Sequence, residues 1–145
     1  MARALWKTQS LDAAYLAFAD PQAIGLSAIG GLLQPVGRRE PGGLAVQLAH
    51  DDRHALLTLH APIAPGMVCP VPIASWQRMV ADEPLAAAAS AGTVALDGER
   101  ELGFEPGQPV HLTLRENAFL TVDVAACMAA AARDGLLRSD PSPTR

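Results

Sequence analysis

Two carboxylates stand close together in the triplet Asp97-Gly98-Glu99, between two β-prone runs. A carboxylate held at the tip of a rigid hairpin can take a proton as a general base, or order water around magnesium. The same Asp-Gly pair has a purely structural use, because a two-residue type I′ turn needs positive φ at both central positions. Ser27 with Gly30 and Gly31 forms a second set, in an apolar stretch that follows a strand-like segment. Glycines there let a ligand approach backbone N–H groups. They equally let a helix pack closely and end. His50 and His54 are spaced to share a metal on a helix, but they fall across a polar turn, so no metal site is expected. His60 and His111 fall in strand-like runs.

Other signatures are absent from the sequence. It has no Gly-x-Gly-x-x-Gly, no Walker loop, no Gly-x-Ser-x-Gly and no His-Glu-x-x-His. Cys69 and Cys127 lie far apart, which excludes a disulfide scaffold and a cysteine zinc site. A net charge of -4 argues against nucleic-acid binding. Charged residues are only 18% of the 145, below the roughly 25% of ordinary domains, which hints at a covered partner surface. The longest uncharged stretch, 54–77, carries Pro62, Pro65, Pro70 and Pro72, too many for a membrane-spanning helix. The first residues show no apolar run after Arg3 and Lys7, so no secretory signal and a cytoplasmic setting are expected.

The elements that must position these groups are mostly short strands. A strand is expected over 11–19, then a helix from Pro21 to about Leu33, with Asp20 as N-cap, Pro21 at N1 and Gly30-Gly31 as an early stop. Residues 44–49 and 55–60 read as two strands of a hairpin. The prolines after residue 61 demote 68–73 to an edge strand, with Pro70 and Pro72 turned from the ladder and Trp76 as anchor. One helical turn is expected over 86–89. A hairpin follows around Asp97-Gly98, then a Pro106-Gly107 turn. Strands over 110–115 and 119–124 flank Glu116-Asn117, and a helix over 125–133 ends at Gly135. Seven or eight consecutive strands with two marginal helices predict a mainly β (α+β) chain, an antiparallel β-sandwich or related fold. One domain over 1–137 and a disordered tail over 138–145 are expected.

Three blocks carry a family resemblance: Ala23-Ile-Gly-Leu-Ser-Ala-Ile-Gly-Gly-Leu-Leu-Gln-Pro-Val36, Ala61-Pro-Ile-Ala-Pro-Gly66, and Gly92-Thr-Val-Ala-Leu-Asp-Gly-Glu-Arg-Glu101. In this order the chain resembles the C-terminal half of ATP-NAD kinase-like proteins, in particular the acetoin-catabolism protein X group. That places it beside the NAD kinase and diacylglycerol kinase superfamily. The resemblance implies a β-sandwich packed against a Rossmann-like domain, with a nucleotide or dinucleotide cleft between them. It implies Asp97 as general base with Glu99 beside it, acting only with a partner domain, and Ser27, Gly30, Gly31 and Gly98 as cofactor-binding positions. The implied cofactors are ATP or NAD with magnesium. No Gly-Gly-Asp-Gly motif is present, since Gly30-Gly31 and Gly42-Gly43 are both followed by Leu, so this chain alone is expected to be inactive and to hold neither firmly. The implied partners are a second copy in a homodimer or the Rossmann-like domain. Two alternatives stay open, an oligomerisation module and a ligand-sensing module linked to acetoin catabolism.

Overall fold

The computed structural model describes residues 11–96, 100–118 and 120–139. Eight strands and two α-helices occur in it: β1 (Ala13–Leu16), α1 (Ser27–Leu33), β2 (Gly43–Leu48), β3 (Leu57–Ala64), β4 (Met67–Met79), β5 (Pro84–Ala86), β6 (Gly92–Leu96), β7 (Arg100–Phe104), β8 (His111–Thr113) and α2 (Val124–Arg133). The mainly β, α+β reading holds. The strands form a four-stranded antiparallel sheet, β1-β2-β4-β3, and two antiparallel ribbons, β5-β8 and β6-β7.

The core lies between one face of the four-stranded sheet and α1. Ile29 from the helix meets Leu44, Val46, Val71, Ile73 and Ala61 from the strands, all buried. Trp76 packs against the edge of this cluster, as expected of an anchor.

The helix expected from Pro21 begins only at Ser27. Gly25 explains the delay: its φ of 101° is left-handed, and its N–H donates to the Pro62 carbonyl at 2.9 Å instead of to a helical turn. Asp20 caps a local turn, accepting from Gln22 N–H at 2.8 Å. Gly30 and Gly31 do not end α1, which continues to Leu33 with Gln34 as its C-cap. The expected strand over 11–19 shortens to β1, with Ala19 reaching Val36 as an isolated bridge.

The expected hairpin of 44–49 with 55–60 does not form. Strand β4 lies between β2 and β3. A 3-10 turn over Asp52–His54 carries the chain across it, so that Ala49 N–H reaches the Pro72 carbonyl and Leu56 N–H reaches the Ile73 carbonyl. Nor is 68–73 a separate edge strand. It is the first half of β4, paired with β3, while the second half pairs with β2 from Ile73 onward. The prolines are tolerated because a residue's N and C=O point to the same side of a strand. The Pro72 carbonyl faces the β2 side, so its missing N–H is not needed by β3. Pro62, on the edge strand β3, likewise turns outward to Gly25.

Farther along, 86–89 is not helical: β5 pairs with β8 and Ala87 N–H donates to the Val110 carbonyl, so the ribbon captures the segment. The Pro106-Gly107 turn is present, with Gly107 at φ 87° and Gln108 N–H donating to Glu105 C=O. The turn at Glu116-Asn117 is also present. No strand occupies 120–123. Asp123 instead accepts from Ala126 N–H and caps α2. Gly135, at φ 68°, ends that helix with paired bonds to Ala132 and, through Leu136 N–H, to Ala131.

Candidate functional site

Ser27 is the first residue of α1 and is half-buried. Gly30 and Gly31 are buried, and protein fills the space beside each. A Cβ on Gly30 would run into the Leu16 side chain and come within 3.2 Å of Leu44 Cδ2. One on Gly31 would collide with the Asp20 carbonyl. Both glycines therefore let α1 sit directly on β1, β2 and the turn at Asp20. Asp97, Gly98 and Glu99 lie outside the described residues. Their flanking strands pair as a hairpin, with Leu96 opposite Arg100. This register leaves one residue more between the paired ends than the two-residue type I′ turn needs. Helix α1 rests on β1, β2 and β3, whereas β6 and β7 pack chiefly on each other.

His60 and His111 are exposed on β3 and β8, and His50 and His54 have acidic neighbours around the 3-10 turn. His54 Nδ1 lies at hydrogen-bonding distance, 2.6 Å, from Asp51 Oδ1, and Asp51 also accepts from the Arg53 and His54 backbone N–H groups. Asp51 thus caps the 3-10 turn, and the hydrogen bond from His54 lowers its pKa below the ordinary 3.8. His50 sits 3.8 Å from Asp12. Among the described residues no group of three or more His, Cys, Asp or Glu side chains is arranged to hold a metal. No described helix is long and apolar enough to cross a membrane.

Sequence reasoning missed a cavity of about 330 Å³ on the sheet face opposite α1. Tyr15, Ala45 and Gln77 form one cross-strand row there, and Gln47 and Ser75 are paired in the next. The segment Leu85–Ala88 covers them, held by a bond from Ala88 N–H to the Tyr15 hydroxyl at 3.2 Å. The signal was the alternation of Ser75 and Gln77 in β4 with Gln47 alone in β2, and locally it reads as a solvated face.

A family model described as the acetoin catabolism protein X C-terminal domain matches residues 1–117. The chain belongs to that family. Acetoin catabolism protein X of Cupriavidus necator is 56% identical over 142 residues, which is 98% of this chain and 39% of that relative. The chain thus spans well under half the length of the curated relative it matches. No solved structure matches it. The acetoin catabolism protein X C-terminal domain match takes in α1, the four-stranded sheet and both ribbons. It stops before α2, which the similarity to the longer relative includes.

Proposed function

We infer that this chain is the C-terminal half of an ATP-NAD kinase-like protein and supplies one wall of a nucleotide or dinucleotide cleft. The observation that carries this reading is the C-terminal domain match in a chain covering 39% of its curated relative. A Rossmann-like domain completes the cleft, and ATP or NAD with magnesium occupies it. In this reading Asp97 takes the acceptor proton, with Glu99 as its charged neighbour and Gly98 as a cofactor-binding position. Ser27 contributes from the start of α1, while Gly30 and Gly31 set how closely that helix approaches the sheet. Phosphoryl transfer depends mainly on positioning and on offsetting phosphate charge, so half a cleft is catalytically inert. Calorimetric titration of the chain with NAD, and with ATP and magnesium, tests the cleft. Supplying the remaining part of the Cupriavidus necator relative in trans should restore phosphoryl transfer, and Asp97→Asn should abolish it. Transfer that survives Asp97→Asn would remove Asp97 from the mechanism.

A second reading is a homodimeric oligomerisation or ligand-sensing module serving acetoin catabolism. Helix α2 favours it. Every residue of α2 except Arg133 is apolar, yet none is buried. A helix apolar all round normally has a partner. Light scattering that shows a monomer at high concentration would count against the dimer.

A further inference from the structure

We propose that helix α2 is a docking element that inserts into the further domain of the longer protein, in a groove lined by apolar side chains. This rests on the reading that such a domain completes the molecule, and not on nucleotide binding.

The segment around α2 is built to be covered. Between residues 120 and 137, six large apolar side chains stand exposed: Leu120, Val122, Val124, Met128, Leu136 and Leu137. Leu120 is 95% exposed. This concentration begins just past residue 117, where the acetoin catabolism protein X C-terminal domain match ends. The similarity to the Cupriavidus necator relative runs over 142 residues and so takes in α2, yet it covers only 39% of that relative. Helix α2 therefore lies past the matched domain and inside the likeness to a longer protein.

Both sides of α2 call for contact. Val124, Cys127, Met128 and Ala131 recur at helical spacing and form one stripe. Ala126, Ala129 and Ala130 form the opposite stripe, where short side chains let another backbone come close. Within α2 only Ala130 and Ala131 are even half-buried. A second copy packed side by side would cover one stripe and leave the other in water. Such a pair of ten-residue helices, each about 15 Å long, would bury about 700 Å² in total, below the roughly 1,200 Å² of a stable interface. A helix apolar on both sides is satisfied between two layers of a domain. Its one charge, Arg133, is in the last turn and can reach water from the end of a groove.

The test is hydrogen exchange on the chain alone and on the full-length Cupriavidus necator relative carrying this chain in place of its matching residues. In the chain alone the α2 amides should exchange as a solvated helix does, and light scattering should show a monomer. In the full-length protein they should slow about a hundredfold or more, with no nucleotide added. Met128→Glu and Ala129→Glu, one on each stripe, should each return α2 to the fast rate and leave the four-stranded sheet protected. Equal α2 exchange in the two proteins would overturn the proposal. So would a dimer of the chain alone with α2 protected, which would make a second copy the occupant. If the hybrid does not fold, the unaltered relative, read at the peptides aligned with α2, gives the same comparison. Slow α2 exchange with no heat from NAD or ATP would remove the nucleotide cleft and keep the docking, and fast exchange with such heat would do the reverse.

Discussion

Helix α1 and helix α2 meet the rest of the chain in opposite ways. Helix α1 is only seven residues long and contains two glycines, poor material for an isolated helix. It is nonetheless fixed, because Ile29 and Gly30 are pressed against the sheet and Gly31 against the turn at Asp20. Helix α2 has strong local credentials: an alanine-rich interior, an Asp123 N-cap and a left-handed Gly135 just past its Asp134 C-cap. It buries none of its residues, and its nearest described polar tie is the exposed 3.8 Å pair of Arg39 with Asp123. The β6-β7 ribbon resembles α2 in this respect, since no residue of its described strands is fully buried and Leu102 is 60% exposed. Tertiary packing stabilises α1 despite its propensity, whereas α2 depends on propensity and caps.

This contrast can be broken by experiment. Ile29→Ala should cost about 2–5 kcal/mol in denaturant unfolding, because it removes buried contacts and leaves a cavity. The comparable truncation in α2, Met128→Ala, should stay within about 0.5 kcal/mol, since Met128 is 53% exposed. Equal costs would mean that α2 is packed after all. Gly30→Ala comes next: the added methyl must displace Leu16 and Leu44, and overpacking of this kind costs about 1–3 kcal/mol. If it stabilised the fold through better helix propensity, the close seating of α1 would be disproved. Asp123→Ala should cost about 1 kcal/mol of α2 stability, visible as faster amide exchange in α2 with no change in the sheet. The smallest effect concerns acid. Asp51 has a lowered pKa in the folded chain, so its contribution is present above its unfolded value near 3.8 and fades as the pH falls through the lowered one. Asp51→Asn should therefore reduce stability at neutral pH and flatten the acid limb of the melting profile. An unchanged limb would mean that the His54 contact does not persist in solution.

Legibility in the sequence followed the range of the interactions. The Gly135 stop, the Pro106-Gly107 turn and the pairing of β6 with β7 are decided within a few residues and were readable, although the β6-β7 register differs from that of the expected two-residue turn. The start of α1 was misplaced because the tie that decides it, Gly25 to Pro62, spans the chain. Of the candidate site, Ser27, Gly30 and Gly31 were correctly placed on one helix. The reason for the two glycines, a close fit against Leu16 and Asp20, needed the assembled sheet. That Tyr15, Gln47, Ser75 and Gln77 share one face needed the assembled sheet, since they come from three strands in distant parts of the chain.

By itself, the sequence determined the mainly β, α+β fold class, the turns at Pro106-Gly107 and Glu116-Asn117 and the stop at Gly135, because these depend on local geometry and composition. Tertiary structure alone decided that β4 inserts between β2 and β3. Its prolines direct their backbone polar groups away from β3, and its second half offers β2 a full ladder. That insertion sets the order of the sheet, the seat of α1 and the cavity on the opposite face, because strand order is chosen by long-range pairing and burial, not by any residue's own preference.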